Sequence, residues 1–88
     1  MGQILWSDRA SVALRRLAPS TRAAIEKRMS YLRSMPRMYA VAGNEDFPGC
    51  RSFWIEPAYC IYYMVAAGGS DCYVVAIVEA EMDEAAAS

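Results

Sequence analysis

Three short strand-like runs joined by tight turns fill the second half of this chain, and their close spacing leaves few folds open. Residues 51–56 alternate, with Arg51, Phe53 and Ile55 on one side and Ser52, Trp54 and Glu56 on the other. Glu56-Pro57-Ala58-Tyr59 reads as a turn with proline at its favoured second position. Residues 59–67 form a long central strand, and Gly68-Gly69-Ser70-Asp71 turns the chain again. Residues 72–78, rich in valine and isoleucine, make the last strand. Connections this short join antiparallel neighbours, because a parallel pair needs a crossover of about a dozen residues or more. The run is an antiparallel meander.

The first half has a different texture. Residues 3–6 read as a short strand, with Ile4 and Trp6 on one face. Ser7 is a good N-cap, and Asp8 places negative charge in the first turn of the helix that follows. Ala10, Ala13, Leu14 and Leu17 recur at helical spacing, with Arg9, Arg15 and Arg16 off the stripe. Ala18-Pro19-Ser20 breaks this helix and starts a second, for which Ser20 is the expected cap. Ala24, Ile25, Met29 and Leu32 give the second stripe, and Pro36 is expected to end it. Residues 37–49 hold Gly43, Asn44, Glu45, Asp46 and Pro48 and read as a loop, with a short strand expected near 39–41. The sum is an α+β domain over residues 1–80: a short N-terminal strand, a helical hairpin, then a three-stranded antiparallel meander with the helices on one face. Residues 81–88 form an acidic and alanine-rich tail, expected to be flexible without a partner.

At 88 residues there is room for one core, and 56% of the chain is hydrophobic. Tyr59, Ile61, Tyr63 and Val65 share one face of the central strand, while Cys60, Tyr62 and Met64 share the other. A helix pair covers one side of a sheet, so one apolar row is expected to be exposed in the free monomer. Net charge is −1 but unevenly spread: residues 1–37 carry +6 and residues 38–88 carry −7. Such a basic helical layer attracts an acidic partner segment or a phosphate backbone, although a solvated face is the commoner cause.

Cys50, Cys60 and Cys72 are odd in number, show no CxxC pair, and the chain has no histidine. No metal site, no cofactor and no disulfide framework are expected. Reduced thiols, no secretory leader in the first seven residues and no apolar run long enough for a bilayer point to the cytoplasm and away from a membrane.

The joint pattern resembles the RelE/ParE superfamily of toxins from type II toxin–antitoxin pairs. The residues carrying it are Leu5-Trp6-Ser7 before a helix with Ala10 and Leu14, and Leu32 with Pro36 closing the second helix. Pro48-Gly49-Cys50-Arg51 then leads into a strand, followed by Tyr59-Cys60-Ile61-Tyr62-Tyr63-Met64-Val65 and Val74-Val75-Ala76-Ile77-Val78. The resemblance spans roughly residues 3–80 and implies a cognate antitoxin that folds part of itself across the toxin surface. For the ribonuclease branch it implies ribosome-dependent cleavage of messenger RNA, which needs positive charge where negative charge develops. Here Ser52 and Trp54 stand where lysines often stand in that branch, Cys60 stands for an arginine, and the last strand ends Val78-Glu79-Ala80-Glu81.

The ParE branch is the closer match, through the aromatic central strand and the residues Arg51 and Tyr63. It implies action by binding DNA gyrase without a hydrolytic centre, although Met82 replaces an arginine usual there. The leading expectation is thus a ParE-like toxin working by protein–protein contact, without direct nucleic-acid binding. The alternatives are a RelE-type ribosome-dependent endoribonuclease and a degenerate, non-toxic member that keeps antitoxin binding. The candidate functional face is Arg51, Trp54, Tyr59 and Tyr63, with no catalytic residue assigned. Arg51 is equally an edge arginine paired with Glu45, Asp46 or Glu56, whereas Tyr59, Tyr62 and Tyr63 read as core or interface packing groups rather than catalytic acids, since a phenol with its ordinary pKa of about 10 needs a strong perturber to act as an acid.

Overall fold

The computed structural model describes residues 2–56 and 58–80. The expectations for Pro57 and for the tail at 81–88 lie outside the described residues. The elements are β1 (Ile4–Trp6), α1 (Asp8–Arg16), α2 (Pro19–Leu32), β2 (Arg51–Ile55), β3 (Tyr59–Val65) and β4 (Cys72–Glu79). The meander pairs as expected, β2 antiparallel to β3 and β3 antiparallel to β4. β1 joins it parallel to β4, which gives a four-stranded sheet in the order β1-β4-β3-β2. The helical hairpin supplies the long crossover that a parallel pair requires.

Local chemistry sets the helix ends. The Ser7 hydroxyl accepts from the Ala10 N–H at 3.1 Å and donates to the Val75 carbonyl at 2.7 Å, so one side chain both caps α1 and ties it to β4. α2 begins two residues earlier than expected: Ala18, not Ser20, is the N-cap, without a side-chain bond, and Pro19 is the first helical residue. Proline tolerates that position because its missing N–H is one of the donors left unpaired at a helix start. α2 ends at Leu32, four residues before Pro36; Arg33 still has helical φ and ψ, −62° and −31°, and Met35, directly ahead of the proline, is the residue that the ring disfavours in helical geometry.

The core lies between the helices and one face of the sheet. Ala10, Ile25, Met29 and Leu32 from the helices meet Phe53, Ile55, Ile61, Tyr63, Cys72 and Val74 from the strands. The expected short strand near 39–41 is a single bridge, Val41 opposite Arg51, flanked by Ser52 N–H to Ala40 O and Ala42 N–H to Cys50 O. No helix among the described residues is long and apolar enough to cross a membrane.

Candidate functional site

The sheet face turned away from the helices is not bare, contrary to expectation. Cys50, Cys60 and Tyr62 form a second, smaller core on it, packed by Ala42, Phe47, Val75 and Val78. The loop between the Val41 bridge and β2 folds back beneath the sheet to make this core. Gly43 and Gly49 turn the chain at positive φ, 69° and 76°, a conformation that costs other residues a steric clash. Between them the Asn44 side chain accepts the Asp46 N–H at 2.9 Å, an Asx turn that presents Phe47 to the sheet. The Phe47 ring stacks on Tyr62 with centroids 4.2 Å apart and planes 17° from parallel. Arg9, from the first turn of α1, places its guanidinium carbon 5.6 Å from the centre of the Phe47 ring.

Tyr62 is the polar centre of this small core. Its hydroxyl takes a hydrogen bond from Asn44 Nδ2 at 3.0 Å. Its acidity is lowered first by the hydrogen bond with the Cys60 side chain and next by burial. Burial likewise pushes up the Cys50 thiol. A protonated phenol and a buried protonated thiol are packing groups here, not activated nucleophiles.

Past the loop the same face opens to solvent. Leu5, Tyr73 and Met64 are exposed and stand in register across β1, β4 and β3, Leu5 opposite Tyr73 and Tyr73 opposite Met64. A β-bulge between Tyr62 and Tyr63 lets Val75 and Ala76 both face Tyr62's neighbourhood before the register resumes. On β2, Trp54 is 59% exposed and stands opposite Cys60, with Ser52 opposite Tyr62. The strand residues of this face are thus Leu5, Ser52, Trp54, Cys60, Tyr62, Met64, Tyr73, Val75, Ala76 and Val78. None is cationic.

The four residues singled out from the sequence do not gather on one face. Trp54 lies on the helix-free side. Tyr63 is fully buried in the main core, and Tyr59 packs against that same core. Arg51 stands opposite Tyr63 at the helix-side end of β2 and donates from Nη1 to the Tyr39 carbonyl at 2.7 Å, in place of the expected carboxylate partners. The Tyr63 hydroxyl donates to the Pro36 carbonyl at 3.1 Å, and burial raises its pKa to about 12. Tyr39 stacks on Phe53 with centroids 4.8 Å apart. Arg51, Tyr63 and Tyr39 therefore clamp residues 36–41 onto the sheet edge. Sequence reasoning missed Phe47, Asn44 and Arg9. Nothing in their local pattern signals a long-range stack, although Gly43 and Gly49 bracket the loop that makes it.

No protein-family description matches the sequence, and no curated protein matches it. Solved structures do match. The isolated E. coli RelE toxin superposes with a TM-score of 0.83 at 20% identity, covering 99% of this chain and 93% of that one. RelE in the intact E. coli RelBE toxin–antitoxin complex gives 0.77 at 20% identity, over 93% of this chain and 100% of that one. A doubly substituted E. coli RelE bound to a peptide of the antitoxin RelB gives 0.76 at 20% identity, over 98% and 90%. Helices to one side of a four-stranded sheet in the order β1-β4-β3-β2, matched over nearly the full length of both chains, mean that this chain has the RelE fold.

Proposed function

We propose that this protein is the toxin of a type II toxin–antitoxin pair, neutralised by a cognate antitoxin and acting in the cytoplasm by binding a protein target. One observation carries the reading. On a RelE fold, the helix-free face offers Trp54, Tyr73, Met64 and Leu5 where phosphoryl chemistry on RNA calls for cations. An aromatic and apolar face with one strongly exposed tryptophan has the composition of a protein-binding patch. DNA gyrase is the target this reading names, as for ParE-like toxins. Purified gyrase is assayed for supercoiling with increasing amounts of the protein. Inhibition that reaches completion at stoichiometric excess supports the proposal, and full supercoiling at high excess removes the gyrase target.

A second reading, a ribosome-dependent endoribonuclease, is favoured by the structural matches themselves, which are RelE proteins. Two cations are near enough to serve it: Arg9, whose guanidinium lies over the Phe47 ring that covers part of the helix-free face, and Arg51 on the helix side of β2. Toeprinting on a translated message distinguishes the two. Cleavage in the ribosomal A site that disappears on Arg51→Ala or Arg9→Ala would replace the binding mechanism with the nucleolytic one.

A further inference from the structure

β1 ends the sheet on the side away from β2. The Cys72 N–H donates to the Gln3 carbonyl and the Ser7 N–H to the Val74 carbonyl, both at 2.9 Å, so the backbone groups of residues 3 and 7 point toward β4. Backbone direction repeats every second residue along a strand, so Leu5 points the same way, and the N–H and C=O groups of Ile4 and Trp6 point outward. None of these four groups finds a backbone partner among the described residues. The β2 edge differs, since residues 40–42 pair with part of it. An open edge is a template for another strand, and proteins commonly guard one with a charge, a proline or a bulge. Ile4-Leu5-Trp6 carries none of the three.

The surroundings of this edge suit a copy of itself. A groove of about 290 Å³ lies between β1 and the helices, with Ile4, Trp6, Leu14, Glu26, Met29 and Arg33 among its lining residues. Arg33 sits at its Gly2 end: the Gly2 N–H donates to the Arg33 carbonyl at 3.1 Å, and Arg33 Nε donates to the Gly2 carbonyl at 3.4 Å. Glu26 is two turns back along α2, about 10 Å away, toward Trp6 and Leu14. A two-fold axis through the middle of β1 therefore brings each Arg33 across from Glu26 of a second copy. The same symmetry leaves one register. An axis at Ile4 would pair Trp6 with Gly2, whose N–H is already given to Arg33, and an axis at Trp6 would pair Ile4 with Asp8, which begins α1. An axis at Leu5 pairs Ile4 with Trp6 of the second copy and satisfies every outward group in four backbone hydrogen bonds.

We infer that the chain forms a two-fold dimer through the β1 edge, joining two four-stranded sheets into one. On the helix side Ile4 packs beside Trp6 of the second copy, an aromatic and β-branched cross-strand pair made once on each side of the axis. On the helix-free face Leu5 meets Leu5 on the axis. The exposed row Leu5, Tyr73 and Met64 then runs on into its copy, and the dimer presents one apolar band. The Glu26 to Arg33 contacts at the two rims fix orientation more than affinity, because exposed ion pairs contribute little. Three residues per edge make a small interface, so the pair is weak and reversible. The dimer does not depend on which target the face binds.

The test is sedimentation equilibrium of the full-length protein over a concentration series, with three substitutions. Leu5→Lys sets two like charges together on the axis, and Glu26→Arg and Arg33→Glu each create two like-charge contacts across it. All three positions are exposed, so the variants keep their fold, checked by circular dichroism. The parent is expected to dimerise and Leu5→Lys to stay monomeric, while Glu26→Arg and Arg33→Glu each associate about tenfold or more weakly. An equimolar mixture of the two charge variants should recover the parent's association, because the mixed dimer restores both opposite-charge contacts. Hydrogen exchange at the Ile4 and Trp6 amides should slow as concentration rises. A parent that stays monomeric up to about 1 mM, a dimer indifferent to Leu5→Lys, no recovery in the mixture, or exchange at Ile4 and Trp6 independent of concentration would each overturn the inference. Association lost with Trp54→Ala and kept with Leu5→Lys would also overturn it, by moving the contact to β2. None of these outcomes touches gyrase inhibition or growth arrest, so the failure of the dimer and the failure of the toxin reading are distinguishable.

Discussion

Phe47→Ala isolates the second core. Phe47 is half-buried, one face stacked on Tyr62 and the guanidinium of Arg9 near its ring. Full removal of a core phenylalanine costs about 3–5 kcal/mol, so half-burial sets about 1.5–2.5 kcal/mol for the transfer and cavity contribution. The aromatic pair adds about 0.5–1.5 kcal/mol and the exposed cation–π contact about 0.5 kcal/mol. The expected loss is about 2.5–4.5 kcal/mol against a total of about 4–13 kcal/mol for a domain of this length. For a total stability above the low end of that range the variant still folds, with its midpoint lowered by roughly 10–35 °C.

The same change has a signature that a generic core defect lacks. With Phe47 gone, the loop between Gly43 and Gly49 loses its anchor, and Cys50 and Cys60 beneath it become accessible. Cys72 sits on the other side of the sheet in the main core, with its thiol raised by burial, and stays protected. Native thiol labelling followed by mass spectrometry should show Cys50 and Cys60 modified many times faster than in the parent, with Cys72 unchanged. Equal acceleration at all three thiols would mean global loosening. A stability change under about 0.5 kcal/mol with no change in labelling would mean that the loop does not close the helix-free face.

Tyr63→Phe should cost about 1–2 kcal/mol in urea denaturation, because the part-buried Pro36 carbonyl loses its donor. Since the folded pKa of Tyr63 is raised to about 12 from an unfolded value near 10, its contribution is intact below pH 10 and is lost as pH rises through 10–12. The stability gap between parent and Tyr63→Phe should narrow over that window, and a gap independent of pH would refute the assignment. Arg51→Ala should cost about 1–3 kcal/mol and speed hydrogen exchange at the Ser52 and Ala42 amides, because its bond to the Tyr39 carbonyl holds the segment that pairs with them. Trp54→Ala, at an exposed site, should change stability by less than about 0.5 kcal/mol while abolishing gyrase inhibition; retained inhibition removes Trp54 from the binding face.

Periodicity and turn chemistry made most of the fold legible, since both are local. Ser7 as a cap, the two helical stripes and the three strands follow from residues within a few positions of one another. What escaped depends on contacts distant in sequence. The parallel pairing of β1 with β4 joins Ile4 to Cys72, and no local pattern encodes it. The second core escaped for the same reason: alternation along β3 shows that both faces are apolar but not that Phe47 returns to cover one of them. Placing Arg51 with Trp54 failed on parity, because residues three apart on a strand point to opposite faces. Arg51 therefore shares the helix side with Phe53, while Trp54 shares the other with Ser52. The absence of cations from the helix-free strands was readable from the start, because Ser52, Trp54 and Cys60 alternate into one face whatever covers it.

The most direct test of the toxin assignment is growth of a bacterial host after tightly controlled induction of this chain alone, with soluble folded protein verified. The account predicts prompt arrest, relieved when the product of the neighbouring gene is co-expressed, and weakened by Trp54→Ala at equal protein level. Undisturbed growth at high levels of the folded protein would contradict it.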